Sequence, residues 1–216
     1  MCSHYEAPSM DALRAAYDVA PSEPVTHDLW PGYTGPFIRQ AQDADPDDED
    51  APHLDALVGR FGLLPPWAKD EKLARKTYNA RSETASIKPS FRGAWREARH
   101  CIIPALSIYE PDWRSGRAVP TRITRRDGEL LSIAGLWERW RSPAGDTVHS
   151  YSMLTVNADD HPLMQHFHRP GAERRMVVIL PQAQVEEWLS ATDAQSAEFL
   201  RQYPAERLAA EPRPGR

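Results

Sequence analysis

The sequence predicts a strand-rich α+β domain, and three observations carry that expectation. Five apolar runs rich in β-branched residues lie between residues 100 and 181, separated by turn residues. The dipeptide Asp127-Gly128 joins two of them in the manner of a hairpin turn. No internal repeat occurs, and strands do not alternate with crossover helices, so a parallel α/β fold is set aside. At 216 residues, with seven tryptophans and seven tyrosines, the chain has material for one domain with a sizeable core. The domain is expected to span 1–210, with an acidic loop at 41–52 and a disordered tail at 211–216.

In chain order, Ser9 caps a short helix running to about Asp18, with Met10, Leu13, Ala16 and Tyr17 at helical spacing. The prolines and glycines from Pro21 to Pro36 forbid regular structure there. Lys69 to Lys76 reads as a short helix. The strand runs follow at 100–110, 118–124, 129–140, 147–157 and 175–181. Two short helices close the domain, from about Gln182 to Ser190 and from Asp193 to Gln202.

Charge is unevenly spread. The formal net charge is −5, which argues against a general nucleic-acid binder. Yet residues 1–59 carry twelve acids against two bases, and six of those acids sit in one tract, DADPDDED, at 43–50. Such a tract repels itself and reads as a solvated loop. Residues 60–100 hold ten bases against four acids, so the middle of the chain is basic. No apolar run reaches the length of a membrane span. The first residues resemble no signal peptide, and a reduced, cytoplasmic setting is expected. Cys2 and Cys101 make neither a disulfide framework nor a zinc-site spacing.

Four segments could carry chemistry. Removal of Met1 would leave Cys2 with a free α-amine and a thiol two carbons apart, with reference pKa values of roughly 8 and 8.5. That pair can condense with an aldehyde to a Schiff base and close to a thiazolidine. Alternatively, the thiol can attack an amide with the amine as base. The plainer reading is a small buried cysteine. The stretch 61–92 contains Trp67 beside two prolines, then Asn79 and Arg81 on one side of an extended segment. Trp67 reads equally as core or as a stacking platform, and Arg81 and Arg92 as phosphate ligands or solvated surface. The run 101–113 delivers Tyr109 and Glu110 at the end of an apolar strand, where burial suits a carboxyl to proton transfer; a salt-bridged glutamate is the commoner case. His161, His166 and His168 lack partners at metal-ligand spacing, so one of them reads as an acid/base rather than a ligand.

Together, Met1-Cys2, GLLPPWA, NARSET, KPSFR, CIIPA…YE, AGLWERW, LTVNA and the closing H…RM segment resemble the SRAP family, the SOS response-associated peptidases or abasic-site processing proteins. The resemblance runs from Cys2 to about Pro181. It implies an α+β domain with antiparallel strands in a barrel-like arrangement and short peripheral helices. It implies an abasic-site sensor acting on single-stranded DNA, or on single-strand/double-strand junctions, in the DNA damage response. Cys2 would form a covalent thiazolidine crosslink, with Met1 self-removed and with lyase-like activity. By the same resemblance Asn79 orients the amine and sugar, Glu110 shuttles protons, and His168 assists ring opening or reversal. His4, Trp67, Arg81 and Arg92 fall at DNA-contacting positions; His4 replaces the arginine usual in the family. A monomer needing no metal or cofactor is implied, cytoplasmic and nucleoid-associated when on DNA. An N-terminal cysteine amidohydrolase and a non-covalent single-stranded DNA-binding module are the alternatives.

Overall fold

The two longest apolar runs become the two longest strands, β9 (Leu131–Arg141) and β10 (Thr147–Asn157). They pair antiparallel across a turn in which Gly145 takes φ 95°, a conformation a side chain would resist. The computed structural model describes residues 2–42 and 53–213. Ahead of this hairpin come β1 (Tyr5–Glu6), α1 (Met10–Tyr17), β2 (Asp28–Leu29), β3 (Thr34–Gln40), β4 (Leu54–Phe61) and β5 (Asn79–Arg81). Then follow α2 (Arg92–Arg96), β6 (His100–Ala105), β7 (Ser107–Asp112) and β8 (Val119–Arg125). After the hairpin lie β11 (Arg175–Val177), β12 (Ile179–Leu180), α3 (Val185–Ser190) and β13 (Leu208–Pro212).

Five strands close on themselves in the order β10-β4-β3-β6-β9. All but one of these junctions are antiparallel; β10 meets β4 in parallel through Ser150–Arg60 and Tyr151–Phe61. Aromatic rings fill the interior. Phe37, Phe61 and Tyr151 pack together, and the Tyr5 and Tyr151 hydroxyls share a 2.5 Å hydrogen bond. Closure removes the sheet edges that would otherwise invite pairing with other chains. A second, antiparallel sheet runs β13-β8-β7-β1-β2. The short β5 lies parallel to the far end of β10, with Asn79 opposite Met153. Among the described residues, no helix is long and apolar enough to cross a membrane.

Helix α1 forms as read: the Ser9 hydroxyl accepts from Ala12 N, and Asp18 closes the helix in the left-handed region. Several expectations are corrected. The segment 21–36 does hold strand, in β2 and the start of β3. Pro36 is tolerated within β3, where β6 pairs only at Ile38–Ile102. The run 100–110 is two strands, broken at the exposed Leu106, because β6 belongs to the barrel and β7 to the second sheet. The run 175–181 likewise divides between β11 and β12. Asp127-Gly128 does turn the chain, with Gly128 at φ 80°, but it makes no hairpin: β8 pairs with β7 and β13, while β9 enters the barrel. The turn switches sheets. Lys69–Lys76 contains a 3-10 turn, Glu71–Lys76, and the last helix shortens to the 3-10 turn Ser196–Phe199. Glu211 and Pro212 belong to β13 rather than to a disordered tail. The acidic tract at 43–50 and the last three residues, 214–216, lie outside the described residues.

Candidate active site around Cys2

Cys2 sits just before β1, which pairs with β7 through Tyr5–Ile108 and Glu6–Ser107. The pairing carries on upstream, where Tyr109 N donates to His4 O at 2.9 Å. This register brings the first residues of the chain beside Glu110, two residues before the end of β7. From the other side β5, aligned on β10, presents Asn79, whose Nδ2 donates to Cys2 O at 2.7 Å. The structure therefore joins Cys2, Asn79 and Glu110 from three distant stretches of sequence.

Burial sets the electrostatics. Cys2 is 2% exposed and Glu110 3%. Burial, followed by the negative charge of Glu110, pushes the Cys2 thiol well above its ordinary pKa, so the sulfur is held as a protonated thiol whose S–H points to His4 O at 3.5 Å. Burial raises Glu110 from 4.5 to about 7, against the pull of the positively charged amino terminus. A carboxyl poised near neutrality can both accept and release a proton. The amide oxygen of Asn79 is buried without a hydrogen-bond partner, an acceptor with capacity to spare.

His168 lies on the loop before β11, and its Nε2 accepts from Arg175 N at 3.3 Å. Burial, then the charge of the amino terminus, lowers its pKa to about 4. It is therefore a neutral imidazole at physiological pH. His161 is structural: its two ring nitrogens engage Tyr203 O and the Leu163 and Met164 amides inside the fold.

The four residues expected to touch a ligand differ in their surroundings. Trp67 is exposed at 56%, with its indole N–H on Pro89 O at 3.3 Å, which removes the core reading. Arg92 is exposed at the first position of α2. Arg81 is half-exposed and paired with Glu173 at 2.7 Å. His4 is enclosed: its ring is stacked between Trp30 and Tyr109 and its Nε2 meets Asp28.

The chain itself matches a known family. The family described as SOS response associated peptidase (SRAP) matches residues 1–213. The chain belongs to the SRAP family. Among its relatives, an abasic site processing protein of Bacillus subtilis, YoqW, is 42% identical over 134 residues, which is 61% of this chain and 55% of that protein. The Gallus gallus abasic site processing protein HMCES is 26% identical over 205 residues, 84% of this chain and 59% of that one. The chain thus spans little more than half the length of these curated relatives. A crystal structure of a Bordetella bronchiseptica protein superimposes with a TM-score of 0.87 at 49% identity, covering 98% of this chain and 99% of the other.

Two neighbours of this cluster are not singled out by the sequence. Tyr78, just before Asn79, has its pKa raised by burial and then by the nearby charges of Cys2 and Glu110. Trp30 stacks on His4 at 4.0 Å. The adjacency of Tyr78 to the NAR triplet was a usable signal. For Trp30 the only signal was a tryptophan inside a proline- and glycine-rich segment.

Proposed function

We propose that the protein captures abasic sites in single-stranded DNA by condensing the N-terminal aminothiol of Cys2, freed by loss of Met1, with the aldehyde of the ring-opened sugar. The observation that carries this reading is the contact of Asn79 with Cys2 beside a buried Glu110 whose pKa lies near 7, in a chain whose relatives are named abasic site processing proteins.

The Cys2 amine attacks the aldehyde carbon, one amine proton passes to the new alkoxide, and the resulting carbinolamine loses its hydroxyl as water with a proton supplied by Glu110, leaving an iminium. The thiol sulfur adds to the iminium carbon as the thiol proton passes to Glu110, which restores the acid, and the ring nitrogen keeps its single proton. One water is released and nothing is oxidised or reduced. The Asn79 amide donor fixes the Cys2 carbonyl, and its unpartnered oxygen accepts a hydrogen bond from the reacting amine or sugar hydroxyl. Neutral His168 accepts a proton during ring opening or crosslink reversal. The protonated thiol favours this amine-first order over thiolate attack on an amide. Trp67, Arg81 and Arg92 would then engage the strand on either side of the site.

The test is incubation with single-stranded DNA carrying one abasic site, without borohydride. A covalent product is expected from the protein whose intact mass lacks Met1 and not from Cys2→Ala. Absence of the product with wild type, or its persistence with Cys2→Ala, overturns the reading.

A further inference from the structure

Among the exposed aromatic side chains of the described residues, Trp30 alone stands in a continuous ring stack. Its indole lies 4.0 Å from the His4 ring at an interplanar angle of 14°, and His4 lies 4.3 Å from Tyr109 at 15°. With one face on His4, the indole remains 42% exposed, so its outer face and edges account for that exposure.

The backbone holds it there. Leu29 of β2 pairs with Tyr5 of β1, and Trp30 follows at once. Pro31 and Gly32 (φ 89°) then turn the chain, and Tyr33 N returns to Trp30 O at 2.9 Å. Proline fixes one turn position and glycine supplies the positive φ of the next. Asp28 anchors the ring edges, receiving the Trp30 indole N–H at 3.4 Å and contacting His4 Nε2. A platform already held in place loses little further entropy when a ligand stacks on it.

The geometry points to the outer face of Trp30 as a stacking subsite for one nucleobase of the strand whose abasic site reaches Cys2. His4 is two residues from Cys2, about 7 Å along extended chain, and a stacked strand advances about 3.4 Å per nucleotide. A base within about three nucleotides of the lesion can therefore meet the indole. Asp28 decides the chemistry: its carboxylate at the ring edge repels phosphate, whereas an uncharged base face is indifferent to it. The subsite rests on the proposed abasic-site reading for its strand, but its own test needs no aldehyde.

An intact oligonucleotide with 2-aminopurine at one position in turn is titrated with the full-length protein. Quenching at one or two adjacent positions is expected, and it is lost in Trp30→Ala. Trp30→Ala should weaken binding about tenfold, within the range for one stacked base, with Trp30→Phe recovering most of it. The dependence of affinity on salt should not change, since no phosphate contact is removed. With abasic DNA, the half-saturating DNA concentration should rise about tenfold while the saturating crosslink rate moves less than twofold. Quenching that survives in Trp30→Ala overturns the subsite, as does unchanged affinity. A fall in the saturating rate at unchanged half-saturation also overturns it, because Trp30 would then merely hold His4. If wild type forms no crosslink while Trp30-dependent quenching persists, the abasic-site reading fails and the subsite stands.

Discussion

The side-chain amide of Asn79 donates to the carbonyl oxygen of Cys2 at 2.7 Å, tying a strand laid on the barrel to the first residues of the chain. Asn79 is fixed in turn by the parallel pairing of β5 with β10. Removing the donor leaves a buried carbonyl without that partner and lets Cys2 shift. Such a loss costs about 1–3 kcal/mol, which is a five- to 150-fold fall in rate if expressed in the transition state. Asn79→Ala and Asn79→Asp, the second isosteric but without the donor, should both slow single-turnover crosslinking within that range. Wild-type rates in Asn79→Asp would remove Asn79 from its positioning role.

Glu110 makes stability and rate depend on pH in a defined direction. Its folded-state pKa of about 7 lies above its ordinary 4.5, so the folded protein holds this proton more tightly than the unfolded chain. Glu110 therefore destabilises the fold increasingly as pH rises from 4.5 through 7, by about 3 kcal/mol at the upper end. Glu110→Gln should melt higher than wild type at pH 8 and show no such gain at pH 4, by thermal denaturation. It should also erase the inflection near pH 7 in the crosslinking rate. His168 acts oppositely: its pKa is lowered from 6.5 to about 4, so the stability it contributes is present above pH 6.5 and fades as pH falls toward 4.

Gly62 follows β4 and begins the loop that leads to Trp67. Its φ is 128°, and a Cβ there would stand 2.0 Å from the carbonyl oxygen of Ala74. Both the backbone and the neighbour are immovable at modest cost, so Gly62→Ala should lose about 4 kcal/mol or more. Gly93, within α2, would place a Cβ in open space. Gly93→Ala should gain about 0.5–1 kcal/mol. Paired melting curves check both; comparable effects at the two positions would contradict the close approach at Gly62.

How far the sequence disclosed this site depends on whether a feature was local. Apolar runs long enough to be buried on both faces, as in β9 and β10, announced themselves. The Asp127-Gly128 dipeptide announces a turn but not what the turn joins, because which strands β8 and β9 pair with is decided by the sheets around them. Prolines hid β3, since a residue such as Pro36 is unfavourable in a strand except where a neighbour asks nothing of its nitrogen. Cys2, Asn79 and Glu110 could be named from motifs, but the hydrogen bond and the burial that give them their chemistry arise only when β1, β5 and β7 meet. Trp30 was hard to see for the same reason: its stacking partner His4 lies 26 residues away in sequence, and Tyr109, which stacks on His4 in turn, lies 79 away.

Arg81 is not poised to grip a phosphate without first leaving Glu173, to which it is bound at 2.7 Å. Glu173 is shared, since it also holds the buried Arg175 at 2.8 Å. A DNA strand must therefore compete with a carboxylate for Arg81, and an exposed pair of this kind is worth about 0.2–1 kcal/mol. Neutralising Glu173 should relieve the competition, so Glu173→Gln is expected to bind single-stranded DNA about two- to fivefold more tightly at low salt. The gain should shrink as salt rises, because the pair it removes is itself screened. Arg175 keeps its two bonds to Glu83 and its bonds to Thr155, and the glutamine carbonyl can still accept from it, so the fold should persist. In the double variant Glu173→Gln with Arg81→Ala the gain should vanish. A gain that survives removal of Arg81 would mean that Glu173 repels the strand directly, and that Arg81 is not the residue it restrains.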